Sequence, residues 1–385
     1  MIKTSSGVTL PKGFKAAGFA CGIKKSGKKD LALIFSQVPA LSFGLFTKNK
    51  VKAAPLIITA RHLANNRAQA IVANSGNANC YTGKTGISDA EKMAYLTAKA
   101  MGIKPSDCLV ASTGIIAKPM PMDKIVPGIK HLCLKVSKKG GIDAAKAIMT
   151  TDKVVKQASV SFKAGTKKVS IGAIAKGAGM IFPQLEAFSK HATMLCFITT
   201  DADIEFPALK ESLSSAVNES FNRISVDACM STNDMVLILA NGQAGNKKIK
   251  LNSKEFNLFK NSLIDICKAL AKKIVIDAEG ATKFIEIKIK GARSVKLAKE
   301  AGFAVANSAL FKTAIFGENR NVGRIISALG AIGISLDEHK TKIKLSSLEK
   351  KNIVLEVGLG QGKYSSVVYT CDLSPEYVKI NAGYS

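Results

Sequence analysis

Residues 193–199 read TMLCFIT and residues 235–240 read MVLILA, and one amphipathic helix is predicted between them. Each run is continuously apolar and short, as is typical of a strand buried on both faces. Pro207 opens the helix, whose apolar positions recur every four residues at Leu209, Leu213, Val217 and Phe221. A strand, a helix and a strand in this order predict a layered α/β fold with helices packed on sheets.

The same alternation continues outward in both directions. Toward the N-terminus, short strands are predicted at 31–35, 55–59, 70–73 and 109–111, and helices at 88–102 and 143–149. In the first of these helices Ser88 and Glu91 form a capping box, and Gly102 lies where a C-cap belongs. Toward the C-terminus, the pattern predicts a long helix over 256–276 and a strand over 353–357.

Composition limits the classes of function. The chain has 385 residues, 47% of them apolar, which is enough for a large core and excludes a disordered tail or a disulfide-stapled miniprotein. Its 56 Lys and Arg against 28 acidic residues give a net charge of +28, which attracts anions. The basic residues are spread along the chain and only 6% of residues are aromatic, so a lysine-rich solvated surface is favoured over nucleic-acid binding.

The cysteines and histidines give no sign of a metal site. Eight Cys and four His are scattered without the close pairs that clamp zinc, so no metal is expected and the thiols are predicted to be reduced. Residues 1–6 lack a secretory signal, and no run reaches the roughly 18 apolar residues of a membrane span. The expectation is a cytoplasmic enzyme without a membrane segment.

Three loops carry side chains suited to substrate binding or catalysis. Asn74 to Asn79 concentrates amides after a strand, which suits a polar substrate but more often braces a turn. Thr113 and Gly114 also follow a strand, where a hydroxyl and a backbone N–H can stabilise an oxyanion or simply close the strand. Lys176 in Lys-Gly-Ala-Gly suits capture of a carboxylate, or is a surface lysine in a hairpin turn.

Cleavage of the Ala192-Thr193 bond would turn Thr193 into an N-terminal nucleophile. Cleavage there frees the α-amine of Thr193, whose pKa near 8 lets it act as the base for the hydroxyl of the same residue. Such a residue combines nucleophile and base, so no histidine of a catalytic triad is needed. Taken alone, a threonine at the start of a strand is ordinary.

A series of motifs decides between these interpretations. In chain order they are NSGNANCYTG from 74, VASTGIIAKPMPMDKI from 110, AIMTTD from 147, IAKGAGMI from 174, ATMLCFITTDA from 192, VDACMSTNDM from 226, DAEGATKFIE from 277, NVGRII from 321 and CDLSPEYVKINA from 371. In this series the chain resembles the ornithine acetyltransferase family, the glutamate N-acetyltransferases of arginine biosynthesis. The resemblance covers nearly the whole sequence.

The resemblance implies a fold and a processed chain. The fold would be an α/β (α+β) layered sandwich of the self-cleaving, N-terminal-nucleophile-like kind, of the ornithine acetyltransferase/DmpA-like type. The chain would cut itself into an α chain, 1–192, and a β chain, 193–385, which fold as one interleaved body and assemble as an α2β2 heterotetramer.

The resemblance also implies the reaction and the residues that serve it. Thr193 would take acetyl from N-acetylornithine as an acyl-enzyme and pass it to glutamate, with Thr113 and Gly114 as the oxyanion hole. Thr150, Lys176, Thr193, Glu279 and Asn381 fall on substrate-binding positions. Glu279 would either pair with the substrate ammonium or assist proton transfer. No cofactor is implied, although some members of the family also use acetyl-CoA as donor.

Three departures from the family pattern stand out. Eight residues, Gln184 to His191, separate Pro183 from Ala192 where the family usually has two, and self-cleavage is still expected. The hydroxyl residue that the family places five positions after Asn381 is missing, so Ser385, four positions after it, is expected to substitute. Val322 stands where the family often has Trp.

Two other functions stay open on the sequence alone. One is a related self-cleaving amidohydrolase or aminopeptidase, in which water replaces glutamate as acceptor. The other is an uncleaved protein that binds a polyanion through its positive charge.

Overall fold

The computed structural model describes residues 2–4, 6–187 and 194–383. They form two compact units. As far as it is described, the first comprises 1–177, 183–222 and 230–270, and the second comprises 178–182, 223–229 and 271–385. Each unit therefore draws residues from both sides of the Ala192-Thr193 bond. The division into chains 1–192 and 193–385 stays a prediction.

The first unit is built on one nine-stranded sheet. Its strands are β1 (Phe14–Phe19), β2 (Leu31–Thr47), β3 (Arg67–Asn77), β4 (Cys108–Ile115), β5 (Lys156–Ala164), β6 (Lys167–Lys176), β7 (Leu185–Ala187), β8 (Leu195–Thr200) and β9 (Met235–Ala240). The α-helices between residues 54 and 276 are α1 (Ala54–His62), α2 (Gly83–Met101), α3 (Met122–Leu134), α4 (Gly141–Ala147), α5 (Phe206–Asn218) and α6 (Lys254–Ile276). The strand order is β4-β3-β2-β9-β8-β6-β5, and β1 and β7 also pair with β2.

The long strand β2 joins two halves of this sheet. Its first part pairs with β1 and β3, its last part pairs with β9 and β7, and its register with β3 shifts between Phe35 and Ala40. Side chains from both halves share one buried core, for example Ile71 and Leu109 from the first half and Phe197 and Leu237 from the second. The two halves thus pack face to face.

Helices cover the outer face of the first half. Alternate residues of the same strands, such as Val72 and Val110, point away from the shared core and pack against Met93 of α2 and Ile129 of α3. A strand buried on both faces explains the continuous apolar runs in the sequence. Two sheet layers with helices outside form the layered α/β sandwich that the sequence predicts.

Most predicted elements are confirmed, and two are wrong. The run 55–59 was expected to be a strand because it is β-branched, but it lies in α1, where Pro55 takes a first-turn position at which a missing N–H is tolerated. The capping box at Ser88 and Glu91 is wrong because α2 begins five residues earlier at Gly83, and the N–H of Gly86 already bonds to the carbonyl of Thr82. Gly102 is the left-handed C-cap that was predicted, with φ 68°.

The second unit contains a four-stranded sheet in the order β11-β12-β10-β13. Its elements are β10 (Phe284–Ala292), α7 (Val295–Ala306), α8 (Ala309–Phe316), α9 (Val322–Gly330), β11 (Lys342–Leu345), β12 (Asn352–Gly358), β13 (Tyr364–Cys371) and α10 (Pro375–Ala382). One face of this sheet buries Ile287 and Leu355 with Val305 of α7. The opposite face carries ion pairs of Glu356 with Lys288 and Lys290, as expected for a sheet with one solvated face.

In the part of the chain that the structure describes, none of the helices combines the length and the apolar character needed to cross a membrane.

Candidate active site

Thr113 and Gly114 lie near the carboxyl end of β4, beside the carboxyl end of the parallel strand β3. The Thr113 side chain is fully buried. Gly114 has φ 136°, and a Cβ there would lie 2.4 Å from the carbonyl carbon of Gly76. Because no other residue tolerates both the dihedral angle and the contact, this strand end requires glycine.

Lys176 is the last residue of β6 and reaches Thr113 from the other half of the sheet. Its Nζ lies 3.2 Å from Thr113 Oγ1, and the side chain is only 2% exposed. Lys176 pairs with Leu195 at the start of β8, two positions after Thr193 in the sequence. Lys176 is therefore a buried cation on a threonine hydroxyl, which excludes the interpretation as a surface lysine in a hairpin turn.

Asp152 links Lys176 to Thr150. Its carboxylate accepts hydrogen bonds from Lys156 Nζ at 2.7 Å, from the N–H of Gly177 at 2.8 Å and from the N–H of Thr150 at 3.0 Å. Burial alone raises the pKa of Asp152, but the positive charges of Lys176 and Lys156 and these hydrogen bonds outweigh it and lower the pKa to about 2. The carboxylate is thus an anion that holds three parts of the chain together.

Thr150 lies on the wall of a cavity of about 510 Å³ in the first unit. The wall also contains Thr151, Asp152 and several lysines. Among the described residues, no direct hydrogen bond joins Thr150 to Lys176. The two predicted substrate-binding residues are connected through Asp152.

Asn233 connects the two halves of the sheet at the same end. It lies just before β9, and its Nδ2 donates to the carbonyls of Ala78 at 2.6 Å and Ser112 at 2.9 Å. Ser112 directly precedes Thr113, so this buried amide fixes the position of the strand end that carries the threonine. The amides of Asn74, Asn77 and Asn79 bond mainly to backbone carbonyls, as the turn-bracing interpretation predicts.

The second unit brings Glu279 and Asn381 together. Asn381 Nδ2, on α10, donates to Glu279 Oε2 at 2.9 Å and to the carbonyl of Tyr377 at 3.0 Å. The N–H of Glu279 donates to the carbonyl of Ala178 at 3.0 Å, and a Cβ on Gly179 would lie 2.2 Å from the Glu279 carboxylate. A side chain at 179 would therefore have to displace this carboxylate from its position.

A second carboxylate in the same unit fixes the loop at residues 180–181. Asp227 accepts from the N–H groups of Met180 at 2.6 Å and Ile181 at 3.0 Å, and from the hydroxyl of Tyr377 at 3.4 Å. Burial, together with the negative charges of Asp227, Cys229 and Glu279, raises the pKa of Tyr377. Tyr377 therefore stays protonated and donates.

The motifs that form these two clusters are family motifs. A model of the ArgJ family matches residues 15–349. The chain belongs to the ArgJ family. The arginine biosynthesis bifunctional protein ArgJ of Symbiobacterium thermophilum is 44% identical over 402 residues, which cover 99% of this chain and 98% of that protein.

Two further relatives carry related names. The glutamate N-acetyltransferase of Methanocaldococcus jannaschii is 43% identical, with 98% of both chains covered. The solved structure of ornithine acetyltransferase from Mycobacterium tuberculosis, complexed with ornithine, is 41% identical over 48% of this chain and 99% of that one, with a TM-score of 0.46. Membership of the ArgJ family confirms the predicted resemblance and the prediction of an acyltransferase of arginine biosynthesis.

Several predicted positions of this ArgJ family member lie outside the described residues. They are Ala192 and Thr193 at the cleavage bond and Ser385 near the end of the sequence. Of the insertion from Gln184 to His191, residues 185–187 form β7, which pairs with β2, and residues 188–191 are not described. Within residues 2–4, 6–187 and 194–383, no group of three His, Cys, Asp or Glu side chains is arranged to hold a metal ion.

Asp152 and Asn233 were missed in the sequence. Asp152 ends the AIMTTD motif, and its carboxylate accepts from the N–H of Thr150, two residues earlier, which is the reverse of an Asx turn and therefore gave no turn signal. Asn233 lies within VDACMSTNDM, where four polar residues, Ser231 to Asp234, precede the buried strand MVLILA. Asp152 also bonds to Gly177, 25 residues away, and Asn233 bonds to Ala78 and Ser112, 155 and 121 residues away, so no local pattern shows these roles.

Proposed function

We propose that the chain cleaves itself at the Ala192-Thr193 bond and that the freed Thr193 carries acetyl from N-acetylornithine to glutamate. The observation that carries this proposal is the buried contact of Lys176 with Thr113, 3.2 Å apart, at strand ends that adjoin the start of β8. Thr193 directly precedes the first described residue of that segment, Met194.

The chemistry assigns a role to each group. The Thr193 hydroxyl attacks the acetyl carbonyl carbon, and the new α-amine accepts the hydroxyl proton. The Thr113 hydroxyl and the Gly114 N–H stabilise the oxyanion of the tetrahedral intermediate. The C–N bond then breaks, the leaving ornithine amine takes the proton, and the acetyl group stays on Thr193 as an ester until the glutamate amine attacks it in the same way.

In this scheme Lys176 orients the Thr113 hydroxyl. Its ammonium donates to Thr113 Oγ1, and an ammonium has no lone pair to accept a bond in return. The single proton of the Thr113 hydroxyl is therefore directed away from Lys176 and is available to the oxyanion. Self-cleavage would use the same donors, with the Ala192 carbonyl in place of the acetyl carbonyl.

The remaining assignments concern substrate binding and assembly. Thr150 and Lys176 in the first unit are proposed to bind substrate, as are Glu279, Asn381 and Ser385 in the chain beyond residue 270. The hydrogen bond between Asn381 and Glu279 supports a shared role for this pair, for which the ammonium of an amino acid is a suitable partner. We also propose an α2β2 assembly of the cleaved chains, a cytoplasmic location and acetyl-CoA as a second donor.

Intact mass spectrometry tests the cleavage. The purified protein is expected as two chains, the second beginning with Thr193, while Thr193→Ala gives a single full-length chain. Thr166→Ala, which changes an exposed threonine in the turn after β5, is the matched control and is expected to cleave normally. A full-length wild-type chain in active protein would exclude the mechanism.

Product analysis tests the reaction. Incubation with N-acetylornithine is expected to give N-acetylglutamate and ornithine only when glutamate is present. Release of acetate at the same rate with and without glutamate would instead identify an amidohydrolase. An uncleaved protein that binds polyanions, with affinity unchanged by Thr193→Ala, would identify the non-enzymatic alternative.

A further inference from the structure

The segment that forms α8 and α9 in the second unit differs in charge from the rest of the chain. Residues 300–339 contain three basic residues against four acidic ones, which gives this segment a net charge of −1. In the whole chain 56 of the 385 residues are Lys or Arg, and the net charge is +28. The segment is therefore nearly neutral in a strongly cationic chain.

The three basic side chains of this segment bond to the second unit itself. Lys312 is only 3% exposed, and its Nζ donates to the carbonyl of Cys371. The guanidinium groups of Arg320 and Arg324 both donate to backbone carbonyls, Arg324 Nη1 to that of Leu310 at 2.5 Å. Since Lys312 is the only lysine in residues 300–339, all of which the structure describes, α8 and α9 expose no lysine.

Five apolar side chains are exposed on α8, on α9 and just after them, and we call them the lysine-free face. They are 38 to 62% exposed, and they are Leu310, Phe316, Val322, Ile326 and Ile332. Val322 and Ile326 lie one turn apart on α9, whereas Ile325 and Leu329 of the same helix enter the core of the second unit. The apolar stripe of α9 is thus wider than the core of its own unit covers.

Several other exposed apolar side chains directly adjoin a lysine. Leu134 precedes Lys135, and Val378 precedes Lys379. Lysines at such positions keep cationic copies of the chain apart, because like charges repel. None of the five residues of the lysine-free face directly adjoins a lysine in the sequence.

We infer that a second copy of this chain docks on the lysine-free face, with the same two helices of each copy in contact about a two-fold axis. Two chains of +28 repel each other where lysines meet, and this face brings apolar groups together without that repulsion. A partner of opposite charge would instead select the lysine-rich remainder of the surface.

The size of the face agrees with a contact between two copies. Between residues 309 and 335, 18 residues are exposed, close to the roughly 20 that one partner contributes to an interface of standard size. The inference rests on the proposed α2β2 assembly, which contains two copies of the chain, and it names the surface through which they meet.

Size-exclusion chromatography with light scattering on the full protein tests the inference, counting a cleaved α and β pair as one chain. Wild type is expected at the mass of two chains. Val322→Lys with Ile326→Lys is expected at the mass of one, because lysines of the two copies would then face each other across the contact. The matched control is Leu134→Lys with Leu258→Lys, which adds the same charges at exposed leucines of α3 and α6 and is expected to keep the mass of two chains.

A milder variant covers the case in which the double variant does not fold, which circular dichroism detects. Ile326→Glu alone changes a side chain that is already 47% exposed. It is expected to raise the dissociation constant of the two copies about tenfold or more in sedimentation equilibrium.

The salt dependence of the wild type separates this contact from one that opposite charges hold together. Salt screens the repulsion between two cationic copies, so the dissociation constant is expected to fall several-fold as NaCl rises from about 50 to about 500 mM. A rise with salt would overturn the inference, since it would indicate pairing of opposite charges or a polyanion that bridges the copies.

Three outcomes of the mass measurement would also overturn the inference. Wild type at the mass of one chain would reject the proposed assembly together with the face. Wild type and the folded Val322→Lys, Ile326→Lys variant both at the mass of two chains would keep the assembly and reject the face. Equal dissociation of the two double variants would show that added charge alone separates the copies.

Discussion

At the scale of single residues, the first unit keeps charged groups out of water and pairs them. Lys176, Asp152 and Lys156 are all buried, and Asp152 is the anion between the two cations. Removing one partner of such a group leaves an uncompensated charge in a region of low dielectric constant, which is far more costly than losing a surface ion pair. The buried charges therefore fix the geometry around Thr113.

The first prediction concerns the Thr113 hydroxyl. Thr113→Val keeps the shape of the side chain and removes the proposed oxyanion donor, so kcat for acetyl transfer is expected to fall by about 100-fold or more. Because self-cleavage is proposed to use the same donor, intact mass spectrometry first measures the cleaved fraction of the variant, and steady-state rates are divided by that fraction. Thr97→Val, at a buried threonine of α2, is the control and should leave kcat unchanged. Equal activity of the two variants would remove Thr113 from the mechanism.

The second prediction concerns Asp152 and acid. Its pKa is about 2 in the folded chain against 3.8 for an unperturbed Asp, so its ionised form stabilises the fold by about 2 kcal/mol at neutral pH. This contribution is complete above about pH 4 and is lost as the pH falls toward 2. Urea unfolding of wild type and Asp152→Asn across this range is expected to show a smaller pH dependence in the variant. Parallel curves would contradict the assignment.

At the scale of elements, the site is a meeting of strand ends from two halves of one sheet. β3 and β4 end there in the first half, β6 ends there in the second, and β8 and β9 begin there. The halves face each other because β2 passes from one to the other, with a register shift between Phe35 and Ala40. Thr113 and Lys176 meet only because of this fold, since four strands separate β4 from β6 in the sheet order.

The third prediction tests the contact between these halves. Asn233→Ala leaves the carbonyls of Ala78 and Ser112 without their buried donor, which is expected to cost about 2 kcal/mol of unfolding free energy or more and to lower kcat by displacing Thr113. Asn241→Ala, at the opposite end of β9, removes a comparable amide that bonds the carbonyl of Lys12. Chemical denaturation should show similar losses for both, and kinetics a loss for Asn233→Ala alone. A similar fall in kcat for both variants would contradict a specific role.

At the scale of the whole molecule, the net charge of +28 acts on substrates before they bind. An anion is attracted over distances of the order of the Debye length, about 10 Å at 0.1 M salt, and a molecule without net charge is not. The positive charge is therefore expected to favour the acceptor glutamate, which has a net negative charge, over the donor N-acetylornithine, which has none.

The fourth prediction follows from this difference. Raising NaCl from about 20 to about 200 mM is expected to lower kcat/KM for glutamate several-fold by screening, and to leave kcat/KM for N-acetylornithine nearly constant. The two half-reactions are measured separately, so the donor is the internal control. A parallel fall for both substrates would indicate a general salt effect on the enzyme.

The amino-acid sequence alone determined the layered α/β class, most of the elements and the identity of the motifs, because apolar periodicity and local turn chemistry act over a few residues. It misassigned 55–59, where the first-turn position of Pro55 outweighed the β-branched pattern. It also left Lys176 open between a surface and a site residue. Only the tertiary structure decided that Lys176 is buried on Thr113, that Asp152 is its counter-charge and that five lysines converge on one cavity. These relations depend on electrostatics and hydrogen bonding between residues distant in sequence, which no local pattern encodes.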